Sequence, residues 1–362
     1  MLRMDEFQRN FSPMMKPDKI LIIRLSSLGD IVLTTPFIRA VRMRFPHAQI
    51  DFLLRREYFE VLQFHPALSH VLTYDTQSGF PGLRILKDSL QRERYDIVFD
   101  LHKSLRSRYL CLSMGAKEIH SIKKRIVPRM LLVLSGINLY GSIVSAADRY
   151  IETGRSFGIL NDGLGLELFI PEDVRERIST KIGVNPETVY IGFCPSAKHY
   201  TKRWLPERFI ELGIRLSREW NGIVLLFGGP ADIELCRTIS EEINRGRGKT
   251  AAKSFAGLFT IPETAAALER CRCVVTNDSG LMHIASAMKR KLVAVFGSTV
   301  EELGFFPQGE NSIVVENKKL KCRPCSHIGR ESCPRKHFRC MKEITTDMVA
   351  HACDEQLNIK HG

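Results

Sequence analysis

The chain has 362 residues, 44% of them hydrophobic and 26% charged, which excludes whole-chain disorder and fibrous folds and leaves room for two domains of ordinary size. Its 53 Lys and Arg outnumber its 40 Asp and Glu, giving a net charge of +13 that points to a polyanion: nucleic acid, an anionic membrane surface or a phosphorylated substrate. The most apolar uncharged stretch, residues 130–147, holds Ser135, Gly136, Asn138, Gly141, Ser142 and Ser145 and is too polar to span a bilayer. The N-terminal segment carries Asp5 and Glu6 and has no apolar core, so it does not read as a signal peptide. A cytoplasmic protein with reduced thiols is expected.

In chain order, KILIIRL (residues 19–25) is nearly all apolar, as a strand buried on both faces should be. The loop SSLGD follows, then helical spacing from Ile31 to Phe45. Residues 49–54 read as strand, 57–64 as helix, 70–75 as strand, 83–92 as helix and 96–101 as strand. This alternation predicts a parallel sheet covered on both sides. Punctuation by Pro171, Gly183 and Pro186 marks a boundary, after which the pattern restarts. Residues 189–195 are strand, 206–220 helix, 222–229 strand, 231–243 helix, 254–258 a short strand, 261–271 helix, 273–278 strand, 280–288 helix and 291–297 strand. The expected fold is α/β, with two doubly wound Rossmann-like domains facing a cleft. The first spans residues 1–170 and the second 171–362.

Ligands of open parallel sheets bind at the carboxyl ends of strands, so the loops after strands carry the information. In Ser26-Ser27-Leu28-Gly29-Asp30, Asp30 starts a helix. It reads either as a helix cap or as a carboxylate aimed at the cleft, able to accept the proton of an attacking hydroxyl. The loop lacks both GxGxxG and the Walker ending, which disfavours a dinucleotide-dependent oxidoreductase. The loop from Pro195 to Pro206 brings Lys198, Lys202 and Arg203 to a helix N-terminus, a combination suited to phosphate unless it is simply a basic surface loop. In Asn277-Asp278-Ser279-Gly280, Ser279 and Gly280 offer backbone donors to a pyrophosphate, and Asp278 a carboxylate to a sugar hydroxyl. His283 falls one turn on, with either a structural or a catalytic role. Asp232, after Gly228-Gly229-Pro230, either binds ribose hydroxyls or caps its helix. The chain contains no Asp-x-Asp, which disfavours a metal-bridged pyrophosphate. Lysines and helix termini would neutralise a leaving diphosphate instead.

Five blocks, KILIIRLSSLGDIVLTTPFIRAVRMRFP, PSAKHYTKRWLPERF, LLFGGPAD, TNDSGLMHIASAM and VAVFGST, resemble in order those of glycosyltransferase family 9, the bacterial ADP-heptose:lipopolysaccharide heptosyltransferases. The likeness runs from about Lys19 to beyond Lys342. It implies a GT-B fold, an inverting reaction without a metal cofactor, and an ADP-activated heptose as donor. By position, the family's catalytic carboxylate falls on Asp30 and its diphosphate-contacting lysine on Lys202. The donor-binding turn falls on Asp278, Ser279, Gly280 and His283, and the ribose-contacting acid on Asp232. The implied acceptor is the phosphorylated, Kdo-bearing core on lipid A, which would account for Lys103, Arg106 and Arg108. It also implies a peripheral position on the inner face of the inner membrane. Lys198 and His199 depart from members with neutral residues there, and leave a GT-B transferase using another sugar nucleotide as the alternative.

Two segments carry the charge. Residues 103–129 hold eight basic residues against Glu118, and residues 318–342 hold nine against Glu331. They read as solvated faces or as surfaces for phosphates. A basic polyanion-binding protein is the rival reading, although no nucleic-acid-binding signature is present. Of ten cysteines, Cys322, Cys325, Cys333 and Cys340 cluster. A structural zinc site, free thiols and disulfides are the three readings of that cluster.

Overall fold

Residues Ile20 to Ile23 are fully buried, as their unbroken apolar run requires, and they form the middle of a five-stranded parallel sheet. The computed structural model describes residues 16–248, 250–307 and 309–358. In chain order the first elements are β1 (Lys19–Ile23), α1 (Leu28–Val32), α2 (Thr35–Arg44), β2 (Gln49–Arg55), β3 (His70–Tyr74), α3 (Gly79–Glu93), β4 (Ile97–Asp100), α4 (Leu105–Ser113), β5 (Glu118–Ser121), α5 (Ile126–Ser135) and α6 (Ala146–Thr153). The sheet order is β3-β2-β1-β4-β5, with Ile23 level with Leu53 on one side and Asp100 on the other. The order reverses between β1 and β4, so a crevice opens at their carboxyl ends.

The second series is α7 (Glu172–Ile182), β6 (Val189–Cys194), α8 (Pro206–Glu219), β7 (Gly222–Leu226), α9 (Ile233–Arg247), β8 (Ala252–Ser254), α10 (Ile261–Glu269), β9 (Cys273–Asn277), α11 (Gly280–Ala287), β10 (Leu292–Phe296), β11 (Ser312–Glu316), α12 (Arg339–Lys342) and α13 (Thr346–Leu357). Its six parallel strands run β11-β10-β9-β6-β7-β8, with the reversal between β6 and β9. Ile191, Phe193, Val224, Leu226, Val275 and Val293 form the sheet's part of the core, and Trp204 is locked there by its indole N–H to the Ile344 carbonyl at 3.0 Å. Local signals agree with these elements. Thr260 and Glu263 form a reciprocal capping box at the start of α10, and Gly183 ends α7 at φ 72°, where a side chain would strain the turn.

Several elements differ from the sequence reading. The stretch 31–45 is two helices, because Pro36 has no N–H to give the Val32 carbonyl, and the Thr34 and Thr35 hydroxyls satisfy the Ile31 and Val32 carbonyls at the break. Residues 56–61 form a 3-10 turn, and the strand expected at 254–258 lies at Ala252–Ser254.

The described chain forms two compact units. One contains residues up to Lys124 together with Ala146–Phe169, and the other contains Arg125–Ser145 and the residues from Ile170 onward. The segment Arg125–Ser145, which the sequence reading assigns to the first domain, thus belongs to the second. There Leu132 and Tyr140 cluster with Leu303. Among the described residues, no helix is long and apolar enough to cross a membrane.

Candidate active site

In the first unit, Asp30 occupies the third position of α1, and Ser27 is its N-cap. Asp30 Oδ2 accepts the Ser27 backbone N–H at 3.2 Å and the Ser27 hydroxyl at 2.8 Å. Oδ1 takes Arg24 Nη2 at 2.7 Å and the Tyr150 hydroxyl at 3.4 Å. Arg24 lies 5.4 Å over the Tyr150 ring and donates from Nη1 to the Leu101 carbonyl at 2.6 Å, bridging the ends of β1 and β4. Burial pushes the Asp30 carboxyl up, but the Arg24 charge and the Ser27 hydrogen bonds outweigh it and hold the carboxyl below its ordinary range. The carboxylate is therefore ionised, and it caps its own helix as well.

Beyond β4, Lys103 adopts a positive φ of 50°, and its carbonyl accepts Lys124 Nζ at 2.8 Å. Arg106 and Arg108 lie exposed on α4, and their side chains make no hydrogen bond or ion pair with the described residues. These three cations thus share one loop-and-helix segment that starts at the strand next to Asp30's.

In the second unit, the loop after β6 and the turn after β9 converge. Lys202 Nζ is 2.7 Å from Asp278 Oδ2, and the Thr299 hydroxyl donates to the same oxygen at 2.6 Å. Asn277 ties the two segments together. Its Oδ1 accepts the Trp204 N–H at 3.0 Å, and its Nδ2 donates to the Pro195 carbonyl at 2.7 Å. Ser279 stands extended as the N-cap of α11, with its hydroxyl buried and unpartnered, and Gly280 follows as the first helical residue. The N–H groups of that first turn have no carbonyl partner within the helix, an arrangement that suits an anion. His283 is buried at the end of the same turn. Asp232 Oδ2 accepts the Gly229 N–H at 2.8 Å and the Ser196 hydroxyl at 2.9 Å, which leaves Oδ1 open. A Cβ on Gly228 would lie 2.7 Å from the Asp232 side chain, so the turn needs glycine for that approach.

Sequence reasoning missed Arg24, Tyr150, Asn277, Thr299 and Arg323. Arg323 is a buried guanidinium that donates to the carbonyls of Asn317 (2.6 Å) and Thr299 (2.7 Å) and pairs with Glu316 at 2.6 Å. Arg24 follows directly on an apolar strand at the carboxyl end of a sheet, and that position is the signal that could have found it.

The four clustered cysteines lie within reach of one another's charge, Cys333 and Cys322 acting on Cys325, and all three on Cys340. Cys340 faces the hydrophobic core from α12, Cys333 Sγ accepts the Phe338 N–H at 3.4 Å, and Cys322 Sγ lies 3.8 Å from His337 Nε2. Burial pushes the Cys340 thiol up to about 12, with the neighbouring Cys325, Cys333 and Cys322 adding to the rise. Among the described residues, no three His, Cys, Asp or Glu are arranged to hold a metal, and the ten cysteines are free thiols. The disulfide reading is corrected to free thiols.

Over 305 residues the chain is 26% identical to lipopolysaccharide heptosyltransferase 2 of Escherichia coli K12, covering 77% of this chain and 82% of that one. A family 9 glycosyltransferase structure from Veillonella parvula superposes with a TM-score of 0.80 at 23% identity, covering 97% of this chain and all of that one. The structure of E. coli ADP-heptose lps heptosyltransferase II superposes at 0.76 and 24% identity, covering 94% and 98%. The profile of glycosyltransferase family 9 (heptosyltransferase) matches residues 83–334, from α3 through the Lys202 loop and the Asp278 turn to the cysteine segment. That match takes in most of the chain and the whole turn after β9, so the protein belongs to glycosyltransferase family 9 and is a glycosyltransferase of GT-B fold.

Proposed function

We propose that the enzyme transfers a heptose from ADP-heptose to the phosphorylated, Kdo-bearing inner core of lipopolysaccharide, with inversion at the anomeric carbon and without a metal cofactor. The observation that carries this reading is the Lys202–Asp278–Thr299 cluster at the mouth of the reversal between β6 and β9, beside the open first turn of α11. The similarity to the E. coli lipopolysaccharide heptosyltransferase 2 and to the superposed ADP-heptose lps heptosyltransferase II supports the choice of sugar and acceptor.

In this reading the acceptor hydroxyl attacks the anomeric carbon from the face opposite ADP. The new C–O bond forms as the bond to the β-phosphate oxygen breaks, the proton passes to Asp30, and the electron pair leaves with ADP. Lys202 turns from Asp278 toward the diphosphate, and the α11 N–H groups take a share of its charge. Asp232 receives the ribose hydroxyls on Oδ1. Because Asp30 is held ionised and weakly basic, it receives the proton late, as the hydroxyl becomes acidic in the transition state.

Lys103, Arg106 and Arg108 bind the acceptor's phosphates, and the same region supports a peripheral position on an anionic membrane. On α4, Leu105 and Leu112 are 86% and 81% exposed and share a face with Arg108 and Tyr109, whose ring packs 5.5 Å from exposed Phe80. No acid lies between residues 101 and 117, so apolar and cationic groups alternate as on a surface suited to anionic lipid. On α5, Ile126, Val127, Met130 and Leu134 are exposed around Arg129, so this stretch is not the buried core helix its composition allows.

The deciding experiment incubates purified enzyme with ADP-heptose and a series of truncated lipopolysaccharides, and reads products by mass spectrometry. Addition of one heptose, inhibited by ADP and not by UDP or GDP, is expected. Activity with another nucleotide sugar alone would overturn the donor. Replacing Leu105 and Leu112 together by Ser should reduce binding to phosphatidylglycerol vesicles, and unchanged binding would remove α4 from the membrane reading.

A further inference from the structure

β4 ends in Asp100, whose carboxylate is taken up by its own loop. Oδ1 accepts the backbone N–H groups of His102 (3.0 Å) and Lys103 (2.7 Å), and Oδ2 accepts the Ser107 hydroxyl at 3.0 Å. This clamp fixes His102 one residue beyond the Leu101 carbonyl that Arg24 grips while it holds Asp30. The ring of His102 is the polar group of this cluster that the structure leaves unused. Nδ1 is buried with no hydrogen-bond partner. Nε2 has no partner among the described residues either, but it is not sealed off, and the residue is only half-buried. A polar ring half withdrawn from water with neither nitrogen bonded costs stability, and nothing in the loop's own architecture needs it, because the Asp100 clamp uses only the His102 backbone.

Its protonation state follows from its neighbours. Burial, and then the charges of Arg24 and Lys124, push the imidazole down to about 4, so it is neutral at physiological pH. An orphaned buried N–H is costlier than an orphaned lone pair, so the proton is assigned to Nε2, leaving the lone pair of Nδ1 inside. No carboxylate bonds Nδ1, so the ring has no support for the imidazolium it would become on taking a proton. It is a donor and not a second base.

We propose that His102 is a positioning residue for the acceptor, its Nε2–H donating a hydrogen bond to an acceptor-sugar oxygen next to the hydroxyl that Asp30 deprotonates. The assignment rests on the reading that the surroundings of Asp30 bind the acceptor. It adds to the cationic residues a neutral donor that recognises a sugar oxygen and not a phosphate.

Two variants test it: His102→Leu, which fills similar volume without a donor, and His102→Gln, which keeps a side-chain N–H. With ADP-heptose and the truncated lipopolysaccharide that serves as substrate, His102→Leu should raise the acceptor KM about tenfold, the worth of one hydrogen bond. Its kcat should stay within about threefold, as expected for lost uniform binding. Its affinity for ADP should not change, and His102→Gln should recover most of the acceptor KM. An unchanged KM in His102→Leu overturns the inference, as does a hundredfold fall in kcat at constant KM, or a Gln variant no better than Leu. Should the Leu variant unfold, His102→Phe supplies the same donor-free comparison. Asp30→Ala is measured alongside. If it keeps its turnover, the acceptor-site reading itself fails; if it is inactive while His102→Leu binds acceptor normally, only the role of His102 fails.

Discussion

The two units place the same pair at the same point of their sheets and open it the opposite way. At the reversal between β1 and β4, Arg24 and Asp30 meet at 2.7 Å with side chains 13% and 19% exposed; at the reversal between β6 and β9, Lys202 and Asp278 meet at 2.7 Å with 15% and 6%. In the first pair the acid is the more accessible member and the arginine is bound to backbone. In the second the acid is sunk beneath Thr299 and the flexible ammonium is the accessible member. One topology thus presents an anion on one sheet and a cation on the other, by a choice of which partner is anchored. The proposed proton acceptor and phosphate ligand call for those two charges in turn.

Breaking the first pair at its acid should cost most. Asp30→Asn, which keeps size and loses charge, should lower turnover by about 10²- to 10⁴-fold, the range of general-base loss, while calorimetry finds ADP affinity unchanged. Next, Lys202→Ala should weaken ADP about 10- to 100-fold, as for a lost hydrogen bond between charged groups. It should also lower the melting midpoint, because Asp278 is left buried without its cation. The third change sharpens the contrast. Arg24→Met removes the main cause that lowers the Asp30 carboxyl, so the acid limb of the kcat/KM profile should move to higher pH. The sign extends to stability. Folding depresses this acid's pKa, so its contribution is present above the unfolded-state value and is lost as pH falls through the folded-state value. The variant should therefore lose less stability on acidification than the parent. The smallest effect is expected at the cysteines. Cys322→Ser with Cys325→Ser should leave turnover within about twofold, as surface-proximal changes do, and a chelator should not alter it.

The strands were legible because buried parallel strands are continuous apolar runs, and the loops that follow them could then be singled out. β5 (Glu118–Ser121) escaped because a four-residue edge strand with Glu, His and Ser has no such run. The residues named for the second unit do lie together, at the ends of β6, β7 and β9. What the sequence withheld was partnership: Lys202 and Asp278 are 76 positions apart, Arg24 and Tyr150 farther still, and no local periodicity encodes such contacts. For the same reason the sequence alone leaves Asp30 between two roles, whereas in the structure Oδ2 serves the cap and Oδ1 faces Arg24. The cysteine spacing was visible, but the burial of Cys340 on α12 in the core, with Cys333 packed against it, is a tertiary fact that spacing does not carry.

The amide of Asn277 grips the loop that carries Lys202 at both of its ends, through Pro195 and Trp204. A loop stapled in this way has little disorder left to surrender when nucleotide arrives. ADP binding should therefore show a small entropic penalty, and Asn277→Ala should enlarge it while leaving the binding enthalpy largely in place. In the proposed donor role the loop is a preset mould, to which stiff nucleotide analogues of the right shape are better matched than adaptable ones.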